Sequence, residues 1–365
     1  GPIWLDEWMT FKLGDKSDHF TFFLEESRRI VDEYGHHPSF CFFSCGNEIR
    51  GDYDILRTIV KELRKMAPQI LYTLTTNWDR EIDPEDDLFI AQTADKIPLR
   101  GQYELDEMVE TTQLSFDEAV AKREVPILSH EVGQYHIYPR LAEITKYTGN
   151  LQPINLLAIQ EDLNRKQMGK YASAFTRASG KLAFNLYKDD IEAALRTKKL
   201  GGYQLLGLND FSGQSTATVG LLDVFWEDKG LMKTSDYKQF SAPLVPLAIM
   251  DKRIFSSTDE ITIKIQIANY YHPVDCGHLS WQIASEDTVY VTGSQRVDVP
   301  LGLTTLDQEI NWNDAESIKE NRQLTLSCSF ETKEKEVFTN SWRIWIFPKA
   351  DEKKTEILES DEVTE

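Results

Sequence analysis

The stretch CFFSCGNEIRGD, residues 41–52, decides how the first part of this chain folds. Its aromatic and small residues form a short apolar run of the kind that makes a buried strand. The run ends directly in Asn47 and Glu48. A carboxylate at the end of a buried strand is costly unless it is solvated at an opening or used in one. We therefore expect this strand to end at a functional opening.

Five similar runs lie outward from this stretch, and helix-length amphipathic segments alternate with them up to about residue 230. This alternation is typical of β-α units around a parallel sheet. Strands are predicted over residues 2–6, 40–45, 70–75, 88–92, 126–130 and 202–208. Helices are predicted over residues 19–34, 54–66, 115–122, 155–168 and 170–200, the last with a break near Gly180.

The number of strands leaves two α/β folds open. Closure of a barrel requires a consistent strand number and shear, so six strands cannot close an eight-stranded barrel. One fold is a (β/α)8 TIM-barrel type catalytic domain that lacks its first two β-α units. The other is an open six-stranded sheet with a ligand crevice at the strand ends.

The pattern changes at about residue 241, where short alternating segments such as ITIKIQIANY and QLTLSCSF follow one another. Period-2 alternation with frequent turns predicts an immunoglobulin-like β-sandwich. The expected domains are therefore a partial barrel over residues 1–240 and a sandwich over 241–350. Residues 351–365, with seven acidic and two basic side chains, are expected to form an acidic disordered tail.

Composition restricts the partners. The net charge of -20 argues against a nucleic-acid backbone or an anionic membrane. There is no apolar run near 18 residues, so no membrane span is expected, and the N-terminus has no secretion signal pattern. The four cysteines are interpreted as buried thiols, with a Cys276–Cys328 bridge as the alternative.

Polar residues follow the predicted strands, and the chemistry of both folds belongs at those ends. The ring comprises Asp6, Glu7, Asn47, Glu48, Thr76, Asn77, Trp78, Gln92, His130, Glu131, Asn209 and Asp210. Glu48 and Glu131 are the candidate catalytic pair. Carboxyl groups about 5–5.5 Å apart suit a retaining glycosidase, and about 6.5–9.5 Å an inverting one.

Two other interpretations of these residues remain open. A strand-terminal glutamate can serve only as a helix cap or an ion-pair partner, and Glu48 precedes a predicted helix. His130, Glu131 and His136 could bind a metal, although no HExxH motif is present. The chain has no GxSxG elbow, Walker loop or GxGxxG motif, so serine-hydrolase, nucleotide and dinucleotide chemistry find no support.

Three segments resemble glycoside hydrolase family 2 and its clan A relatives: PIWLDEW (2–8), HPSFCFFSCGNE (37–48) and PILSHEVGQY (126–135). The resemblance implies that residues 40–45 form barrel strand four and that residues 126–130 form strand seven. It also implies that Glu48 is the general acid/base, that Glu131 is the nucleophile, and that Asn47 hydrogen-bonds the sugar 2-hydroxyl. The last strand lacks the tryptophan of many relatives, and the residues around Glu131 are closer to a divergent bacterial branch that attacks plant or microbial polysaccharides.

The function expected from this resemblance is a retaining exo-glycosidase, similar to β-galactosidases and β-glucuronidases, that needs no cofactor. It would cleave a terminal bond by double displacement. Glu48 would then have to be protonated, and repulsion from the ionised Glu131 would raise its pKa. The alternatives are an α-uronidase of galacturonidase type from a related clan family and a non-catalytic carbohydrate-binding protein.

Other residues of the ring receive expected roles in binding an oligo- or polysaccharide. His130 would bind a sugar hydroxyl or be structural, Tyr135 would orient the nucleophile, and Trp78 would stack on a sugar. Asn209 and Asp210 would bind hydroxyls of the terminal sugar. A uronic acid would need a cationic clamp, for which Arg50, Lys96 and Arg100 are candidates. A second chain or a missing N-terminal segment would complete the barrel, and the expected location is periplasmic or extracellular.

Overall fold

The computed structural model describes residues 18–50, 52–101, 111–211 and 218–349. These residues divide into two compact units, one running to Tyr237 and the other starting at Lys238 and also including residues 111–113. The predicted first strand with Asp6 and Glu7, and the acidic tail over residues 351–365, lie outside the described residues.

The first unit is a mixed α/β structure whose elements follow the predicted alternation. Its helices are α1 (Asp18–Tyr34), α2 (Tyr53–Met66), α3 (Asp117–Val120), α4 (Ile154–Arg165), α5 (Ala172–Arg196) and α6 (Thr234–Lys238). Its strands are β1 (Phe42–Ser44), β2 (Leu71–Thr73), β3 (Phe89–Ala91), β4 (Thr93–Ala94), β5 (Ile97–Pro98), β6 (Ile127–Val132) and β7 (Leu200–Leu205). Short 3-10 turns cover Leu141–Lys146 and Gly169–Tyr171.

Five strands of this unit run parallel in chain order. β1 pairs with β2, and β6 pairs with both β3 and β7. A bridge between Asn77 and Ala91 joins β2 to β3, and a bridge between Asn47 and Thr76 extends the pairing of β1 with β2. The order β1-β2-β3-β6-β7 confirms the parallel sheet predicted from the five described runs.

The sheet curls tightly. Two strands separate β1 from β6, so in a flat sheet they would lie roughly 14 Å apart, at about 4.8 Å per strand. Asn47 follows β1 and His130 lies on β6. Their side chains are nevertheless in contact, with Asn47 Oδ1 2.9 Å from His130 Nε2. The inner surface is therefore concave, as the barrel interpretation requires. The five described parallel strands form a curled sheet, and they do not show a closed eight-stranded barrel.

Helix α2 shows how a helix packs against this sheet. Asp52 caps its first turn by accepting a hydrogen bond from the Asp54 backbone N at 2.9 Å. Its buried residues Leu56, Ile59 and Leu63 recur at helical spacing on one face, which packs into the core around β1 and β2.

Helix α5 corrects one prediction. It runs without a break from Ala172 to Arg196, although Gly180 lies within it. A Cβ atom at Gly180 would lie 2.5 Å from Cδ2 of Leu231. The glycine therefore permits close packing of the helix, and it does not end the helix.

The second unit is a β-sandwich. One sheet has the order β13-β10-β8 and the other β12-β11-β14-β15-β9. The strands are β8 (Leu244–Ile249), β9 (Ile254–Ser256), β10 (Ile261–Asn269), β11 (Val274–Ala284), β12 (Val289–Val299), β13 (Gly302–Trp312), β14 (Arg322–Glu331) and β15 (Val337–Phe347). Alternate residues of β10, such as Ile263 and Ile265, join one apolar core with inward residues of the second sheet. The immunoglobulin-like assignment of this sandwich stays a prediction.

The cysteines differ in part from expectation. All four are free thiols, so the alternative Cys276–Cys328 bridge is not formed. Cys328 is buried as predicted, whereas Cys41 and Cys276 are exposed, and that prediction was wrong for these two. Among the described residues no helix is long and apolar enough to cross a bilayer.

Candidate functional site

Glu131 lies near the end of β6, where the strand becomes irregular. The register with β7 shifts between Ser129 and Val132, and Glu131 itself has φ of 54°. A bulge of this kind changes the direction of a side chain at a strand end. A left-handed conformation is uncommon for a residue with a Cβ atom, and such residues concentrate at functional sites.

Four polar side chains surround the carboxylate of Glu131. Its Oε2 accepts hydrogen bonds from Gln92 Nε2 at 2.8 Å and from Gln134 Nε2 at 3.0 Å. Arg100 Nη2 lies 4.0 Å from the same oxygen, and His130 Nε2 lies 3.4 Å from Oε1. Two close hydrogen bonds therefore hold Oε2 in place, whereas the contact of His130 with Oε1 is longer.

These neighbours also decide the ionisation of Glu131. Burial acts to raise its pKa, but the hydrogen bond from His130, the charge of Arg100 and the hydrogen bond from Gln134 act in the opposite direction. The net result is a pKa below the ordinary glutamate value. Glu131 is therefore a carboxylate anion at neutral pH.

Glu48 follows β1 and has a similar backbone. Its φ is 56°, and its backbone N donates to the Thr76 carbonyl at 3.1 Å. Its Oε1 accepts a hydrogen bond from Nδ2 of Asn77, which has φ of 78°. Glu48, Asn77 and Glu131, on three strand ends of one sheet, thus all have left-handed backbone.

Asn47 connects the two strand ends that carry the glutamates. Its Oδ1 accepts a hydrogen bond from Thr76 Oγ1 at 2.6 Å and also contacts His130 Nε2. Gln204 Nε2 contacts the other ring nitrogen, Nδ1. With an amide donor at Nδ1, the His130 proton belongs on Nε2, which then donates toward Asn47 and Glu131. Among the residues that the structure describes, no acceptor binds Nδ2 of Asn47, which can therefore donate to a ligand.

A cavity of about 620 Å³ lies on the concave side of the sheet. Apolar side chains that include Phe42, Ile90, Leu128 and Phe211 line part of it. Asn47, His130, Glu131, Gln204 and Asn209 supply polar groups. An apolar cleft with a few convergent polar groups is the usual form of a small-molecule site.

Several residues predicted for the site have other partners. Asp210 is buried and pairs with Lys229 Nζ at 2.7 Å, so it does not line this cavity. Tyr135 was expected to orient Glu131, but its hydroxyl donates to Asp190 Oδ2 at 2.5 Å. Lys96 is exposed on the β4-β5 hairpin.

Glu48 lies outside the lining of this cavity, and so does Trp78. Nε1 of Trp78 donates to the Ile49 carbonyl at 3.1 Å, and the guanidinium of Arg50 lies 4.6 Å from the centre of the Trp78 ring. One face of the ring is therefore covered by Arg50.

The expected metal alternative finds no support in the described part of the chain, where no three His, Cys, Asp or Glu side chains form a group that could hold an ion.

The sequence interpretation missed most of the groups that hold Glu131. Gln92 stood in the predicted ring without a role, and Arg100 was considered only as a substrate clamp. Gln134, Gln204 and Asp190 were not considered, because an amide three residues after Glu131 or a carboxylate within a long helix carries no pattern of its own.

Comparisons with known proteins assign the chain to no family. The model of a domain of unknown function, DUF8488, matches residues 259–348, and no curated protein matches. The exo-chitosanase CsxA of Amycolatopsis orientalis is 13% identical with a TM-score of 0.47, over 89% of this chain and 38% of its own. The β-glucuronidase of Parabacteroides merdae is 12% identical with a TM-score of 0.35, over 92% of this chain and 40% of its own. This chain thus spans less than half the length of either glycosidase.

Proposed function

We propose that this chain carries the catalytic carboxylates of a retaining glycosidase, with Glu131 as nucleophile and Glu48 as general acid/base. The contact between Asn47 and His130 carries the proposal, because it brings the end of β1 to β6 across the concave side of the sheet. The residues next to these two are Glu48 and Glu131. Paired carboxylates from separate strand ends are the groups that glycoside hydrolysis requires.

The proposed chemistry gives each glutamate one role in each of two steps. The ionised Glu131 attacks the anomeric carbon, the bond from that carbon to the leaving oxygen breaks, and Glu48 gives its proton to the departing oxygen. Glu48 then takes a proton from water, whose oxygen displaces Glu131 and releases the sugar. The lowered pKa of Glu131 supports the assignment of nucleophile, since only the anion can attack.

The cavity supports a terminal sugar of an oligo- or polysaccharide as the substrate. Nδ2 of Asn47 can donate to a hydroxyl oxygen beside the anomeric carbon, and Phe42 and Phe211 offer apolar surface to the C–H faces of a ring. The charge of Arg100 is directed at Glu131, which favours a neutral sugar over a uronic acid. Such a substrate suits a periplasmic or extracellular protein.

The test uses the two glutamates separately with aryl glycosides that have an activated leaving group. Glu131→Gln should abolish turnover. Glu48→Ala should accumulate a covalent glycosyl-enzyme, and added azide should release a glycosyl azide of retained configuration because a small anion can enter where the carboxylate was. Glu118→Gln, an exposed glutamate on α3, is the control and should behave as wild type.

Two results would contradict the proposal. If Glu131→Gln keeps wild-type turnover, the nucleophile is assigned wrongly. The second result is a wild-type chain that hydrolyses no oligosaccharide and a Glu131→Gln variant that binds oligosaccharides as tightly as the wild type does. In that case the non-catalytic carbohydrate-binding alternative is the better account.

A further inference from the structure

Asp190 is a buried carboxylate that the proposed mechanism does not use. It lies on α5, 3% exposed, and accepts a hydrogen bond from Tyr135 Oη and another from the Gly101 backbone N at 2.9 Å. Tyr135 follows Glu131 by four residues, and Gly101 is the neighbour of Arg100. One carboxylate therefore ties together the two segments that carry the candidate nucleophile and the cation facing it.

Arg100 lies in the electrostatic field of two carboxylates. Its side chain is 13% exposed, and its charge interacts with both Glu131 and Asp190. Its Nη2 lies 4.0 Å from Oε2 of Glu131, at the outer limit of an ion pair, whereas Gln92 and Gln134 make close hydrogen bonds to the same oxygen. The guanidinium thus stabilises Glu131 without binding it tightly.

This distance matters for a nucleophile. A carboxylate in a close two-pronged pair with arginine is stabilised strongly as an anion, and its lone pairs are engaged by the partner. A more distant cation keeps the carboxylate ionised and leaves one oxygen able to attack. Gly101, which has φ of 57°, is fixed by Asp190 at the point where the chain leaves Arg100.

We propose that Asp190 is a positioning residue that holds Arg100 back from Glu131 and so keeps Glu131 nucleophilic. This inference rests on the proposed function for its effect on turnover, but its effect on the ionisation of Glu131 does not need turnover.

The charged and titratable groups around this pair define what a pH measurement reports. Asp190 is surrounded by Tyr135, Arg100 and Asp189, and Glu131 by His130 and Arg100. Burial raises the pKa of Asp190 to about 6, and the hydrogen bonds from Tyr135 and Gly101 and the charge of Arg100 oppose that rise. Asp190 is therefore ionised above about pH 6, where it competes with Glu131 for Arg100.

The test variant is Asp190→Asn, which keeps the shape of the side chain. It removes the charge that competes for Arg100 and leaves one acceptor oxygen for two donors. Arg100 should then approach Glu131, lower the pKa of Glu131 further and reduce kcat on the order of 10²-fold, as misplacement at a reacting centre does. KM should change little, because neither residue is placed against the sugar.

The control is Ser179→Ala, on the same helix. Ser179 Oγ accepts from the Tyr138 backbone N at 2.8 Å, so this variant also removes a hydrogen bond from α5 to the segment after β6, without removing a charge. It should lower the melting temperature about as much as Asp190→Asn and leave the pH profile of kcat/KM unchanged.

A second measurement separates this inference from the proposed function. Carbodiimide reacts with protonated carboxyl groups, so the pH midpoint for labelling Glu131, read by peptide mass spectrometry, reports its pKa without any turnover. The midpoint should be lower in Asp190→Asn than in wild type. An equal midpoint in the two proteins would overturn the inference even if the enzyme is active. A lowered midpoint in a chain that hydrolyses no glycoside would support the inference and count against the proposed function.

Discussion

Gly133→Ala offers a sharp test of the packing behind the candidate nucleophile. Gly133 has φ of 90°, and a Cβ atom there would lie 2.0 Å from Cε1 and 2.1 Å from Cζ of Tyr187. The Tyr187 ring has no exposed surface, and its hydroxyl donates to the Val219 carbonyl at 3.1 Å. The ring therefore cannot move aside without loss.

The magnitude follows from three contributions. Overpacking a close-packed site costs about 1–3 kcal/mol, and a left-handed backbone with a Cβ atom costs about 1 kcal/mol or more. Displacing the ring from Val219 would lose a hydrogen bond worth about 1 kcal/mol. We expect a loss of about 4 kcal/mol, which for a unit of this size lowers the melting temperature by about 8–16 °C.

The assay is thermal unfolding of the whole chain followed by circular dichroism. Gly149→Ala is the matched control, since no atom lies within 4 Å of a Cβ there. In a chain that already carries Tyr187→Ala there is no ring to collide with. There, Gly133→Ala should reduce the free energy of unfolding by less than it does in wild type, and the difference should equal the overpacking contribution. A melting temperature for Gly133→Ala within about 2 °C of that for Gly149→Ala would refute the reasoning.

Three other predictions follow from the packing and charges. Gly180→Ala should destabilise by about 1–3 kcal/mol through the contact with Leu231, and Leu231→Ala should remove most of that loss, both measured by urea unfolding. Activity should persist below about pH 4.3, the ordinary glutamate pKa, because His130 and Arg100 lower the pKa of Glu131. Arg100→Met should move the acidic limb of the pH–activity profile to higher pH. Burial and the charges of Asp223 and Asp210 raise the pKa of Glu143 to about 7, so stability should fall as pH rises from about 4.3 to 7, and Glu143→Gln should remove that part of the dependence in unfolding titrations.

The sequence predicted the frame of the first unit because its signals are local. The apolar runs at β1, β2, β3, β6 and β7 are bounded by polar residues, and the amphipathic spacing of α2 gave both ends of that helix to within a residue. The role of Gly180 in α5 could not be predicted, since it packs against Leu231, 51 residues later in the chain.

The candidate site was predictable in its strand ends and not in its contacts. Asn47 and Glu48 follow an apolar run, which is visible in the sequence. The partners of Glu131 come from elements as far as 39 residues away, in the case of Gln92. Asp210 follows β7 at the expected place, but its ion pair with Lys229 depends on a loop whose path no local pattern specifies.

The left-handed backbone at Glu48, Asn77 and Glu131 limits which sequences can inherit this site. Glycine would relieve the strain at any of the three, and a chain selected only for ease of folding would drift toward it. Valine, isoleucine and threonine are shut out there by their branched Cβ, whatever their chemistry. Glutamates at two such positions reduce the stability of the fold, so a lineage that kept them would do so because their carboxylates have a function.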